Sequence, residues 1–353
     1  MSDRLLHCRV TRRDVLAIGS GLLGALVLSP GGRHASAAAT GQAAATPTNA
    51  PRFFMKGGTV GPDVHPNTVA LAKWGQLIEQ GTGGAIKSDI YANAQIGTEV
   101  DLFEGMINNT VQFAPVDVAV AANWVPEGSI FGLPYLFRSP DHAYKVYMGD
   151  FGKSLAERYP KVGVRVLGFW VNGIRHMYGN VDLRTPDQVR GKKARTLASP
   201  IHVAMWTALG ASPQAIGTSS DTYLALKQGV VQVADNSVTT WWQAKLCEAG
   251  KSMALTGHVY SIALLGVSEK FWQGLPADFQ QVIAKTVPEI VQFQNRLTFE
   301  TDDTSITQAV KAGYTVERNP DIAAWKSKLQ PVWDQFKDKV GGSRAIQQVV
   351  DTK

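Results

Sequence analysis

The chain predicts an α/β fold of two domains with a long helix bridging both. Three observations lead there. Short apolar runs alternate with segments of helical periodicity from Arg52 onward, the signature of α/β layers. The rhythm restarts after Gly173, so two α/β units follow in series. A helical pattern from about Pro276 to Ala312 far exceeds the usual run of about three or four turns, and a helix that long can lie across both units. No internal repeat of solenoid length is visible.

The N-terminal segment stands apart from this pattern. Thr11-Arg12-Arg13-Asp14 directly precedes an apolar run from Val15 to Leu28 that ends at Ser29-Pro30. A twin-arginine pair in that position reads as an export signal handled by the Tat export machinery, which implies a periplasmic destination. The run is shorter than the roughly 20 apolar residues of a membrane span. Cleavage is expected after Ala35-Ser36-Ala37, so the signal covers 1–37, and residues 38–50, without aromatic or β-branched aliphatic side chains, read as a disordered leader. Five of the 35 basic residues (Arg4, Arg9, Arg12, Arg13 and Arg33) lie in the signal, which leaves the exported chain near neutral and argues against a nucleic-acid partner. Of the two cysteines, Cys8 is in the signal and Cys247 is alone, so no intramolecular disulfide is expected after cleavage.

The elements then follow in order. RFFMKGGTV reads as a strand, and a helix from about Pro66 carries Leu71, Trp74 and Ile78 on one face before stopping at Gly81-Thr82-Gly83-Gly84. AIKSDIYA is the next strand. Thr98-Glu99-Val100-Asp101 resembles a capping box that opens a helix through Phe103, Met106 and Ile107. A strand VQFAPVDVAV, a helix DHAYKVYMGDFGKSLAERY and a strand VGVRVLGFWV complete the first unit. In the second, GIRHMYG, KKART and VVQVADN read as strands, and PIHVAMWTALG and SDTYLALKQG as helices. Pro288 falls inside the long helix and is expected to kink it. With chain crossings between the units, residues 51–172 plus 262–301 form domain I and 173–261 plus 302–353 form domain II.

Motifs for catalysis are absent from this pattern. The one G-x-G-x-x-G match, Gly19 to Gly24, lies in the export signal with no strand before it. There is no Walker A loop, H-E-x-x-H, C-x-x-C or G-x-S-x-G, and His65, His142, His176, His202 and His258 show no metal-ligand spacing, so no cofactor is implied. What remains is Arg175, Arg195 and Asn236, polar residues at the ends of apolar strands, where open α/β folds bind ligands. By pattern alone each reads equally as a salt-bridging or turn residue.

The stretch from Ile130 to Asn236 resembles the solute-binding subunits of TRAP transporters, DctP type. IFGLPYLFRSPDHAYKV, GFWVNGIRHM, TPDQVRGKKART and DTYLALKQGVVQVADN are similar, in that order, to four spaced family motifs, and weaker similarity extends from about Arg52 to Tyr314. The resemblance implies a two-domain periplasmic-binding-protein-like fold with a ligand cleft between the domains, and a non-enzymatic subunit that binds a small organic acid anion and delivers it to membrane permease subunits. It assigns Arg195 to the family's carboxylate-binding arginine, Arg175 to an assisting arginine and Asn236 to the asparagine at the cleft. A guanidinium suits the role because its planar fork donates two parallel hydrogen bonds to one carboxylate. Gln95 and Thr98, at a helix start in the other domain, and His65, directly before Pro66, are further candidate contacts, Thr98 serving equally as a plain N-cap. Trp241 is a candidate cleft-lining ring. The family's D-G-x-E-N reads Gln232-Val233-Ala234-Asp235-Asn236 here, and Ser219 stands where an aromatic is common, so the pocket walls differ. A periplasmic enzyme on the same scaffold would need an acid or base, and His176 beside Arg175 is the candidate. Neighbours on a strand face opposite ways, which argues against it. A ligand sensor is the third reading.

Overall fold

The computed structural model describes residues 51–353, so the export signal and leader read over 1–50 lie outside the described residues. Strand β1 (Phe53–Gly58) leads to helix α1 (Pro66–Gly81), which starts where Pro66 supplies a preset φ and the His65 ring accepts the amide of Asn67. Leu71, Trp74 and Ile78 are buried along its inner face. β2 (Ile86–Tyr91) runs parallel to β1, and α2 (Glu99–Ile107) opens on a reciprocal capping box between Thr98 and Asp101.

The strand expected over 111–120 ends early. β3 (Phe113–Asp117) stops because the Asp117 carboxylate accepts the Ala119 amide at 2.8 Å and turns the chain into α3 (Val118–Ala121). The single helix expected over 141–159 is two, α4 (Pro140–Met148) and α5 (Asp150–Ala156). Gly149 between them has extended backbone at φ −81° and ψ −167°, and its Cα lies so near the Lys145 carbonyl that an added Cβ would come within 2.4 Å of that oxygen.

β4 (Val164–Gly179) joins the two strands read on either side of Gly173 into one of 16 residues. Gly173 marks the middle one of three register shifts against β8, at φ +108°, where a Cβ would meet Ser237 Cβ at 2.5 Å. Then come β5 (Lys193–Thr196), α6 (Pro200–Ala208), β6 (Ser212–Ala215), α7 (Ser219–Lys227), β7 (Val233–Ser237) and α8 (Val238–Gln243). β8 (Ser252–Ser268) is a 17-residue strand that sequence patterning did not single out, its apolar run being interrupted by Thr256, His258 and Ser261. The chain ends with α9 (Glu269–Gly274), α10 (Ala277–Lys311), β9 (Thr315–Glu317), α11 (Ile322–Leu329), α12 (Pro331–Phe336) and α13 (Gly342–Val350).

The strands form one sheet in the order β2-β1-β3-β8-β4-β7-β5-β6, with β9 beside β8. β4 and β8 run antiparallel down its middle. β3 pairs only with Ala263 to Val267 of β8, and β7 only with Arg175 to Gly179 of β4. Each long strand therefore serves one lobe with each of its ends, and the lobes meet near Asn172, Gly173 and Ser261. We call the part built on β1–β3 the first lobe and the part built on β5–β7 the second. α10 spans both, packing against α1 and β4, then against α8 and β9. It continues as helix through Pro288. The proline and Ala284, whose carbonyl it leaves without an amide, both lie on the solvent-facing side, where water can serve that oxygen.

The C-terminal segment touches both lobes. α11 and α12 pack on α6, while the Trp333 indole donates to the Pro134 carbonyl at 2.9 Å and the His142 ring to that of Val349 at 2.9 Å.

One buried carboxyl on α10 yields a test of stability. Asp302 accepts the Thr239 amide at 3.0 Å and its hydroxyl at 2.6 Å, and burial pushes its pKa up to about 6. The folded state thus holds this proton more tightly than the unfolded chain, so stability falls as pH rises from about 4 to about 6 and stays lower above that. An asparagine in its place would keep the acceptor without the charge. Asp302→Asn is expected to raise unfolding free energy at pH 7.5 by about 2 kcal/mol while leaving it nearly unchanged at pH 4. Urea melts at the two pH values check this, and an equal effect at both would refute it.

Candidate ligand cleft

A cavity of about 50 Å³ lies between the lobes, near the point where β4 and β8 cross from one to the other. Its second-lobe wall carries Arg175, Arg195, Asn236 and Thr240, and its first-lobe wall His65, Asn67, Glu99 and Asp117.

Arg195 sits in β5, a strand of four residues whose last three are buried. Its guanidinium is 4% exposed, and Nε donates to the Ile216 carbonyl at 2.9 Å, which fixes the plane of the group. Nη1 is buried and has no protein partner. A buried guanidinium N–H without an acceptor is costly, so this atom marks where an anionic oxygen would be most strongly held. Burial also lowers the pKa of the group from the usual arginine value, in the direction that a bound anion would reverse.

Arg175 is differently placed. Its Nε donates to Asp235 Oδ2 at 2.5 Å and its Nη2 to the Asp235 carbonyl at 2.7 Å, with both side chains at 3% exposure or less. Burial works against both charges, but each outweighs it for the other. Arg175 is held above the usual arginine value and Asp235 well below the usual carboxylate range. His258 stands 3.4 Å from the same carboxylate oxygen, and burial lowers its pKa. Arg175 lines the cavity while two of its nitrogens are engaged from behind.

His65 links the walls. Nδ1 accepts the Asn67 amide at 3.2 Å, so the ring proton belongs on Nε2, which then donates to the Thr240 hydroxyl at 3.2 Å in the other lobe. Burial lowers the pKa of His65 to about 4, which keeps the ring neutral. Asn67 donates to Asn172 Oδ1 at 2.5 Å and accepts from Gln294 of α10 at 2.8 Å. The cavity is thereby tied to the strand crossing and to the long helix.

Glu99 Oε1 accepts the Asp117 amide at 3.3 Å, and Asp117 Oδ2 accepts the Ser261 hydroxyl. Removal from water, then the nearby Asp117, pushes Glu99 up to about 8. Asp117 is raised as well, chiefly by burial.

The structure therefore brings Arg195, Arg175, Asn236 and His65 to one cavity. Thr98 and Gln95 are not among its lining residues. Thr98 caps α2, and its Cγ2 lies so near Gly217 that a Cβ there would be 2.7 Å away, so it is a point of contact between lobes. Gln95 is exposed in the preceding turn. Trp241 requires correction: it is fully buried in the second-lobe core, donates to the Gly250 carbonyl at 2.8 Å and packs edge-on against Tyr314. Thr240 takes the cavity side of the short α8, and successive helical residues diverge by roughly 100°. Trp242 packs on Tyr314 too, so neither ring lines the cavity. Cys247 is buried in the same core.

Sequence patterning did not single out Glu99, Asp117, Asn67, Asn172 or Asp235 as site residues. A signal existed for three of them, since Asp117, Asn172 and Asp235 interrupt apolar strands as Arg195 does. Among the described residues no group of three or more His, Cys, Asp or Glu could hold a metal ion, and no helix is long and apolar enough to cross a membrane. His176 lies outside the cavity, with Nδ1 accepting the Gly257 amide at 2.9 Å and burial lowering its pKa to about 3.

Residues 57–339 match the family described as bacterial extracellular solute-binding protein, family 7. The chain is 32% identical over 287 residues to the C4-dicarboxylate-binding periplasmic protein DctP of Rhodobacter capsulatus, covering 80% of this chain and 85% of that protein. It is 26% identical over 285 residues to the 2,3-diketo-L-gulonate-binding periplasmic protein YiaO of Escherichia coli, covering 80% of this chain and 87% of the relative. Among solved structures, a TRAP periplasmic solute-binding protein from Chromohalobacter salexigens with bound D-glucuronate is similar at a TM-score of 0.80 and 25% identity, over 85% of this chain and 100% of that one. One from Polaromonas bound to D-erythronate is similar at a TM-score of 0.82 and 25% identity, over 85% and 99%.

Proposed function

The chain belongs to bacterial extracellular solute-binding protein family 7 and is a solute-binding subunit of a TRAP-type transporter, and from this premise we propose that Arg195 receives a carboxylate of the transported solute. The observation that carries the assignment is that Arg195, which lines a cavity between lobes, is held in plane by the Ile216 carbonyl and keeps a buried Nη1 without a partner. Asn236 completes the second-lobe wall. Arg175, fixed by Asp235, adds positive potential to the site.

Binding couples to closure because the two walls belong to different lobes. A cavity of about 50 Å³ holds only a water or two, so a solute enters when the lobes part at Gly173 and Ser261, and contacts to both walls then favour the closed form. The domain limits read from the sequence, 51–172 plus 262–301 and 173–261 plus 302–353, are proposed for the two moving bodies, with the strand crossings as hinge. The His65–Thr240 hydrogen bond and the Thr98–Gly217 contact exist only when the lobes are together. Closure removes water from the ion pair, and the closed form is what membrane permease subunits would recognise. The twin-arginine segment ahead of the fold would bring the chain to the periplasm through the Tat machinery.

No bond of the solute is broken in this scheme, and a solute recovered unchanged after long incubation is the expected result. Thermal denaturation against a panel of organic acids tests the binding. An acid present at about 1,000 times its dissociation constant is expected to stabilise the fold by about 4 kcal/mol. A panel in which neutral solutes stabilise and acids do not would overturn the carboxylate assignment.

A further inference from the structure

The wall facing Arg195 is acidic, and this bears on which carboxylates the site accepts; the inference rests on the carboxylate reading above. Glu99 and Asp117 come from the start of α2 and the end of β3 and line the same cavity as Arg195. Asp117 is held by the Ala119 amide and the Ser261 hydroxyl, and Glu99 by the Asp117 amide. Among the described residues, neither has a lysine or arginine within salt-bridge distance, although the charges of Arg175, and for Glu99 also Arg195, act on them from farther away. Of the two guanidinium groups at the cavity, Arg175 is engaged by Asp235, while Arg195 keeps a buried Nη1 without an acceptor. Of the described residues lining the cavity, one uncommitted cation thus faces two carboxyl groups.

A ligand with one carboxylate at its Arg195 end satisfies that arrangement. A second carboxylate at the far end would be driven against the one charge that the Glu99 and Asp117 carboxyls share, and like charges brought together in a desolvated site cost several kcal/mol. Hydroxyl groups fit there, because carboxyl oxygens accept from them and the side chains of Thr59, Asn67 and Asn172 lie on or beside the same wall. An ammonium group would also donate to these carboxyls, so the length-matched amino acids stand in the test as the alternative occupant. We propose that this cleft selects a hydroxylated monocarboxylate, with its carboxylate on Arg195 and its hydroxyls donating to Glu99 and Asp117, and rejects dicarboxylates of the same length. The raised pKa of Glu99, near 8 through burial and then the neighbouring Asp117, agrees with two carboxyls that share one charge instead of carrying two.

Titration calorimetry on the purified chain, unfolded and refolded to strip any carried solute, tests this with length-matched probes. The four-carbon set is butyrate, succinate, erythronate and 4-aminobutyrate, and the six-carbon set is hexanoate, adipate, gluconate and 6-aminohexanoate. At the preferred length the hydroxy acid is expected to bind about a hundredfold more tightly than the dicarboxylate and the plain acid. Removing the shared charge, with Glu99→Gln and Asp117→Asn together, is expected to narrow the margin over the dicarboxylate by about tenfold, through tighter dicarboxylate binding. A dicarboxylate or amino acid that matches the hydroxy acid in the wild type overturns the proposal. If Arg195→Ala still abolishes that binding, the carboxylate reading stands while the selectivity falls. Binding that survives Arg195→Ala, or no binding by any of the eight probes, overturns both.

Discussion

Arg195→Ala is expected to weaken binding of the cognate acid by about 2–5 kcal/mol, roughly thirtyfold to several-thousandfold, with little change in the stability of the ligand-free chain. Both halves of that expectation come from the same geometry. Without ligand, Arg195 makes one hydrogen bond to the Ile216 carbonyl and leaves Nη1 unpaired, so its burial contributes little to the fold. With ligand, its loss strands a desolvated carboxylate between the lobes. Arg195→Lys is expected to recover only part of the affinity, because an ammonium restores the charge but not the parallel pair of donors or the bond to Ile216. Calorimetry on the variants, with urea melts of the ligand-free proteins, separates the two quantities. An Arg195→Ala protein that binds as tightly as the wild type would remove the assignment. A loss of stability matching the loss of affinity would make Arg195 a structural residue.

Asp235→Ala is expected to do the reverse, lowering the stability of the ligand-free chain by about 3–5 kcal/mol. The substitution leaves the buried Arg175 side chain without its Nε hydrogen bond and its counter-charge, keeping only the bond from Nη2 to the carbonyl of residue 235. The burial that opposes ionisation of Arg175 is then no longer outweighed. Replacing both members, Arg175→Leu with Asp235→Leu, is expected to recover most of that stability, since an apolar pair needs no desolvated charge. Urea unfolding of the single and double variants decides the matter, and a double variant no more stable than Asp235→Ala would contradict the ion-pair account. The pair explains why Arg175 and Arg195, similar as strand residues, are expected to differ so sharply on mutation.

Most of the fold was legible because its signals are local. The capping box at Thr98, the proline at the start of α1 and the period of α10 each depend on residues within a turn or two of one another. The misread elements depended on distant partners or on backbone detail. β8 pairs with both β3 and β4, and those ladders carry its polar interruptions without breaking the strand. β4 passes through Gly173, where patterning saw a boundary, because the glycine absorbs the register shift that lets one strand serve two lobes. Gly149, set between two helical patterns, divides them through a steric contact with the Lys145 carbonyl that is visible only in three dimensions.

The sequence by itself determined the α/β class, the two-unit order, the long bridging helix and the family, since alternating periods and ordered motifs are properties of the chain read end to end. It also marked Arg195, Arg175 and Asn236 as polar residues in apolar strands. What each of them does was decided only by the tertiary structure. A buried charge takes its role from what neutralises it, and that partner can be far away in sequence: Asp235 lies 60 residues from Arg175 and pairs with it, while Arg195 Nη1 has no acceptor in the protein. The placement of Glu99 and Asp117 on the same cavity as Arg195 likewise arises from two lobes meeting.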